Sequence, residues 1–284
     1  MYLNFFGLSE HPFAITPDTR FFFLGRSHEA ALATLKFGIE GRLGFLMLTG
    51  EVGSGKTTLA RVLLDRLDKN IHTSLIINPM LTVPELLREI TRDFGIATAG
   101  PSPTDHIAGL NKFLLELSVQ GKNALVVIDE AQNLSYEALE AIRLLTNLET
   151  DKHKLLQILL VGQPELNAKL ANHNLRQLNQ RIVSRVNLEA LDMMEMMRYI
   201  NFRIGVANGA GKIFFEQKAY RLLHRKTGGY PRLINLVCDR ALMSSYVREM
   251  PFVDKRGVKL ALADLQGVSV QHGWRRLKRL VFSS

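Results

Sequence analysis

The sequence is short of several things, and each shortage closes off a class of protein. A single cysteine, Cys238, excludes an intrachain disulfide and fits a reducing compartment. Long apolar runs are missing: the longest, such as LLQILLVG, fall far below a membrane span. The opening residues Met1-Tyr2-Leu3-Asn4 lack a basic stretch, and Glu10-His11-Pro12 interrupts the apolar residues after them, so no signal peptide is read. Internal repeats and low-complexity tracts are absent as well. These absences lead to the expectation of a soluble, cytoplasmic chain.

What is present is ordinary globular material. The 284 residues, 46% of them hydrophobic, suffice for one large domain or for a medium domain with a small companion. The formal charge of +9, from 36 Lys and Arg against 27 Asp and Glu, favours an acidic partner. Nucleic acid, anionic lipid and nucleotide all qualify, and the solubility of a basic protein explains the charge equally well.

The first 25 residues are crowded with aromatics, among them Phe5, Phe6, Phe13, Phe21, Phe22 and Phe23. Too apolar for water, this segment is expected to pack over the main domain. Ser27 is expected to cap the next helix, HEAALATLKFGIEGR. Apolar runs near 45–49, 73–77, 124–128 and 155–161 then alternate with helical patterns at 57–68, 84–94, 106–119 and 135–149, and 186–190 reads as a fifth strand. Continuously apolar strands separated by helices predict a parallel sheet covered on both faces. Beyond Leu191 the strand signal stops, and four helical stretches take its place. The expected organisation is an α/β domain over 1–190 that includes the aromatic segment, a helical domain over 191–265, and a basic tail over 266–284.

Between the first strand and the next helix lies Gly50-Glu51-Val52-Gly53-Ser54-Gly55-Lys56-Thr57-Thr58. It fits G-x-x-x-x-G-K-[ST] at every fixed position, in the strand–loop–helix setting that the chemistry requires. Glycines let backbone N–H groups turn inward around phosphates, and the helix N-terminus adds partial positive charge. Lys56 would reach the β- and γ-phosphates, and the Thr57 hydroxyl would coordinate Mg²⁺.

The run Ala124-Leu125-Val126-Val127-Ile128-Asp129-Glu130 is an apolar strand ending in two carboxylates. After such a loop, Asp129 would hold the Mg²⁺ and Glu130 would polarise an attacking water. The extra glutamate argues for a hydrolase over a kinase. Gln163, at the end of the next strand, could touch both the γ-phosphate and that water. Arg176, Arg181 and Arg185 cluster in LRQLNQRIVSRV. A cation brought to the developing charge by a neighbouring subunit assists phosphoryl transfer, and Arg185 is the first choice with Arg181 second, although a solvated helix face accounts for such arginines too. In GGYPRLIN, Pro231 starts a helix and places Arg232 where a closing lid could bring it to the nucleotide.

Taken in order, these motifs resemble an AAA+ ATPase. FFGL, LTGEVGSGKTT, VVIDEAQNL, LLVGQPEL, LRQLNQRIVSR and GGYPRLIN resemble in particular the ExeA (GspA) family of secretion-pathway ATPases, over roughly residues 1–265. Within it the chain is similar to the short form that serves the mannose-sensitive haemagglutinin type IV pilus. The resemblance implies a five-stranded parallel sheet of order 5-1-4-3-2 with a helical lid, ATP as nucleotide, ring or partial-ring homo-oligomers, and work with inner-membrane pilus or secretion components. It also implies, for ExeA, a transmembrane segment and a peptidoglycan-binding region that these residues do not contain. Direct peptidoglycan contact is therefore not expected, and membrane recruitment would fall to a partner or to the tail.

Two other readings share this core. A DNA-associated ATPase of the TniB transposition-regulator kind suits the charge, but no helix-turn-helix or winged-helix segment is read after the lid. A nucleotide switch without turnover is opposed by Glu130. A two-domain helicase, prompted by Asp129-Glu130-Ala131-Gln132, is excluded by length and by the missing Q-x-x-G-R-x-x-R run.

The tail is a basic amphipathic pattern if helical. Val270, Trp274, Leu277 and Val281 share one face, with Arg275, Arg276, Lys278 and Arg279 mostly opposite. Deletion of residues 266–284 is expected to reduce co-sedimentation with anionic vesicles; unchanged sedimentation would rule out membrane contact through the tail.

Overall fold

A computed structural model describes residues 2–16, 18–148 and 154–266, so that all of the basic tail beyond Gln266 lies outside the described residues. The chain divides into two compact units. One runs Arg26–Glu189, and the other joins the residues up to Gly25 with the chain from Ala190 on.

A short helix, α1 (Tyr2–Phe6), opens the chain. The first unit then comprises α2 (Arg26–Glu40), β1 (Phe45–Gly50), α3 (Lys56–Arg66), β2 (Ile71–Ile76), α4 (Val83–Asp93), α5 (Pro103–Val119) and β3 (Asn123–Ile128). It continues through α6 (Tyr136–Leu145), β4 (Leu156–Gly162), α7 (Glu165–Leu170), α8 (Arg176–Arg181) and β5 (Ile182–Leu188). The remaining helices are α9 (Met193–Val206), α10 (Gln217–Thr227), α11 (Pro231–Val247) and α12 (Lys255–Leu265).

The five strands form one parallel sheet in the order β2-β3-β4-β1-β5, which is the expected order read from the other edge. Every residue of β1, β3 and β4 is buried. Strands buried on both faces need no polar alternation, which is why their sequences run FLML, ALVVI and LQILLV. Phe45, Met47, Val126 and Ile158 pack with Leu86, Leu110, Leu139 and Leu178 of the helices in one apolar cluster. Their neighbours Leu46, Leu48, Val127 and Leu159 point to the opposite face and are fully buried there too. Local signals set the helix starts: Ser102 caps α5 by accepting the Asp105 N–H, and Ser135 does the same for α6 with Ala138.

Two local expectations are corrected. Helix α2 begins at Arg26, and Ser27 does not cap it, because its hydroxyl accepts the Glu189 N–H at 3.0 Å. Strand β5 begins at Ile182, earlier than its apolar pattern indicates. As an edge strand it is buried only at Ile182 and Leu188 and alternates exposed with half-buried residues between them, so its first half carries no continuous apolar run.

The larger correction concerns the aromatic N-terminus. Tyr2, Phe6, Leu8, Phe13 and Phe21 join a cluster with Met196, Tyr199, Ile200, Leu223, Val237 and Val258, all from the helical unit. Apolar residues announce that a segment is buried, not against what. Polar ties specify the partner here. Arg203 of α9 is only 7% exposed, and its guanidinium donates to the carbonyls of Pro12 at 2.6 Å and Ala14 at 3.1 Å and to the Tyr199 hydroxyl at 3.0 Å. The Arg203 guanidinium also lies over the Phe21 ring, 4.9 Å from its centre. Tyr2 donates its hydroxyl to Asp239 of α11 at 2.6 Å.

Beside Asp239, Cys238 is wholly buried, and burial together with that neighbouring charge pushes its thiol pKa well up. Among the described residues no helix is long and apolar enough to cross a membrane.

Phe13 tests the relocation. Its ring is 1% exposed within the helical unit. Phe13→Ala should destabilise that unit by about 3–5 kcal/mol. In a denaturant titration followed by hydrogen exchange, amides of α9 and α11 should lose protection while those of β1, β3 and β4 keep theirs.

Candidate nucleotide-binding site

Parallel strands end together, and the polar groups of the α/β unit gather where β1, β3 and β4 end. The loop between β1 and α3 closes on itself through the Ser54 N–H, which donates to the Glu51 carbonyl at 3.1 Å. Gly55, with φ 101° and ψ 12°, turns the backbone into α3 through a left-handed conformation that L side chains rarely adopt. From α2, His28 reaches the same loop, its Nε2 lying 3.0 Å from the Ser54 carbonyl. A carbonyl only accepts, so this nitrogen carries the proton.

Lys56, the first residue of α3, is 5% exposed and donates to the carbonyls of Gly50 at 2.8 Å and Glu51 at 3.0 Å. Burial lowers its ammonium pKa, and the charges of Glu130 and Asp129 oppose that shift. Thr57, next along, donates its hydroxyl to Asp129 Oδ2 at 2.6 Å. The other carboxylate oxygen of Asp129 accepts the Glu130 N–H at 2.9 Å. The structure therefore joins the loop after β1 to the acidic pair after β3.

Glu130 holds φ 51° and ψ 36°, left-handed for a residue with a side chain. Its Oε2 accepts two amide donors: Gln132 Nε2 at 2.6 Å and Gln163 Nε2 at 3.1 Å. Gln163, which comes just after β4, is thus brought to the acidic pair. Sequence reasoning misses Gln132 as a site residue, since its only visible feature is its place in Asp129-Glu130-Ala131-Gln132. His28 carries no signal at all.

The arginines are arranged differently. Arg185 is an exposed residue of β5 and donates to the backbone carbonyl of Asn179 at 2.8 Å and to its side-chain oxygen at 2.6 Å. Arg181 is half-buried and donates to Thr146 Oγ1 at 3.2 Å and Asn147 Oδ1 at 2.6 Å. Neither is bonded to the acidic pair. Arg232 belongs to the helical unit, where it is the second residue of α11 and exposed.

These residues fit a nucleotide with a divalent ion. The loop offers a buried ammonium and left-handed glycines at its turn, and the buried Ser54 hydroxyl inside it has no hydrogen-bond partner among the described residues. Thr57 and Asp129 present oxygen donors side by side, the ligand type that a hard cation such as Mg²⁺ takes.

Comparisons with known proteins bear on the fold. Residues 39–170 match a family described as AAA domain. The structure of Drosophila ORC bound to DNA superposes with a TM-score of 0.67 at 19% identity, covering 89% of this chain and 64% of that one. The Aeropyrum pernix ORC2 protein in its ADPNP–ADP complexes superposes with a TM-score of 0.64 at 17% identity, covering 90% of this chain and 71% of that one.

The fold is the α/β AAA+ fold.

In sequence, the chain is 43% identical over 283 residues to General secretion pathway protein A of Aeromonas hydrophila, a match spanning 97% of the chain and 50% of that protein. The chain thus covers half the length of the curated relative that it matches.

Gly55→Ala would force an L side chain into a backbone conformation of φ 101°. Backbone strain of this kind predicts a loss of about tenfold or more in affinity for a fluorescent ATP analogue, with the unfolding midpoint of the helical unit unmoved.

Proposed function

We propose that the chain is an ATP-hydrolysing AAA+ factor that belongs with the General secretion pathway protein A family and drives assembly or regulation of an envelope machine. The observation that carries the chemistry is the continuous contact Thr57–Asp129–Glu130, which couples the phosphate loop to a candidate base. Support for the setting comes from the 43% identity to a secretion-pathway protein.

In this reading the Lys56 ammonium leaves the Gly50 and Glu51 carbonyls for the β- and γ-phosphate oxygens. The N–H groups of residues 50–58 cradle the same phosphates. Thr57 and Asp129 hold Mg²⁺, which when bound supplies positive charge to the phosphate oxygens. Glu130 accepts the proton of the attacking water, and Gln163 orients that water against the γ-phosphate. Arg185 acts on the nucleotide of a neighbouring copy, with Arg181 as the alternative, which makes turnover depend on assembly. Arg232 reports nucleotide from the lid.

The finer setting is a type IV pilus of the mannose-sensitive haemagglutinin kind, as for MshM, or a type II secretion system. The partners would be inner-membrane assembly proteins, and the location cytoplasmic and peripheral to that membrane.

Lys56→Ala should abolish tight ATP binding. Glu130→Gln should keep binding, stop phosphate release and trap any ATP-dependent oligomer. A Glu130→Gln chain used as bait in native cells should retain inner-membrane pilus or secretion components, identified by mass spectrometry. Recovery of a transposase and DNA-bound proteins instead would move the function to nucleic acid, and wild-type turnover by Glu130→Gln would refute the catalytic assignment.

A further inference from the structure

Gln132 sits where three polar groups converge, and its orientation is decided by chemistry. The backbone N–H of Gln163 lies 3.0 Å from one terminal atom of the Gln132 amide. An N–H only donates, so that atom is the carbonyl oxygen, and the amide nitrogen must face Glu130 Oε2 at 2.6 Å. Hydrogen bonds to a carboxylate are charge-assisted and among the stronger ones a side chain makes.

The residue is also held from both sides. A Cβ on Gly162, the last residue of β4, would come within 2.9 Å of Gln132 Oε1 and 3.0 Å of Leu166 Cδ2. The glycine leaves the slot that the amide fills. On the backbone, Lys169 of α7 donates its Nζ to the Gln132 carbonyl at 3.1 Å and also to the Leu134 carbonyl. The Gln163 side chain also meets Glu130 by one bond, at the longer distance of 3.1 Å.

We propose that Gln132 is a positioning residue that pins the Glu130 carboxylate through Oε2 and so presents Oε1 to the attacking water. Among the described residues no hydrogen bond reaches Oε1. When Gln163 turns toward a γ-phosphate, the Gln132 bond keeps the carboxylate from rotating and supports Glu130 in its left-handed backbone conformation. Gln132 touches neither water nor phosphate in this role. The proposal rests on Glu130 being the base.

The test uses the full chain assayed in its assembled, hydrolysing form. Gln132→Met keeps the bulk that fills the slot beside Gly162 and removes the donor. It should lower kcat by about tenfold or more, the scale on which a misaimed general base acts. KM and the affinity for a fluorescent ATP analogue should stay within about twofold, a split that marks loss of transition-state alignment alone. The unfolding midpoint should not move. Adding Gln132→Met to Glu130→Gln should leave residual single-turnover hydrolysis unchanged, because the group being aimed is already gone.

Wild-type kcat in Gln132→Met, with Glu130→Gln inactive, would overturn the positioning role and leave the ATPase reading standing. Loss of nucleotide affinity or a lowered unfolding midpoint in Gln132→Met would overturn it as well, by showing a structural role. Wild-type turnover in Glu130→Gln would overturn both readings together.

Discussion

All five strands of the sheet run the same way, and the chemistry of the α/β unit depends on that single constraint. Parallel strands place their carboxyl ends along one edge, about 4.8 Å apart from neighbour to neighbour. In the order β3-β4-β1, the acidic pair and the phosphate loop therefore stand on either side of the end of β4. The bond from Thr57 to Asp129 bridges that gap. Whatever ends β4 must fit into a space bounded by a lysine loop and two carboxylates. The chain puts Gly162 there and Gln163 next, a residue without a side chain followed by a neutral amide.

The same crowding explains the electrostatics. Lys56 is buried, which disfavours its charge, and the carboxylates after β3 oppose that shift without cancelling it. Neutral amides, Gln132 and Gln163, bond Glu130 without adding another charge beside Lys56 and the two carboxylates. The loop is held from outside by His28, so α2 contributes to the cradle although its sequence carries no phosphate-binding motif.

How much of this is legible in the sequence depends on the kind of signal each residue leaves. Buried strands announce themselves as apolar runs, and β1, β3 and β4 are legible for that reason; β5 is only half legible, because an edge strand such as IVSRVNL mixes exposed residues into the pattern. The glycines and lysine of the loop stand at the fixed spacing of G-x-x-x-x-G-K-[ST], so they too are legible. Burial of Phe6, Phe13 and Phe21 is legible, though Phe5 stays exposed; their partner is not. That choice is made by Arg203, and an arginine in a helix reads as surface until the carbonyls of Pro12 and Ala14 are seen to take its protons. Gln132 is the clearest case of an illegible residue. Its orientation depends on a backbone N–H 31 positions further on, brought near by the pairing of β3 with β4.

The only cysteine of the chain lies in the middle of α11, sealed in the core of the helical unit and with its thiol disfavoured as thiolate. A thiol reagent needs both access and thiolate, so it can label this protein only during excursions that lift the buried face of α11 out of its core. Cys238 is therefore a built-in clock. At fixed reagent and pH, its labelling rate counts the openings of the helical unit and is silent about the α/β unit, so the effect of nucleotide on one half of the molecule can be timed without adding a probe to either.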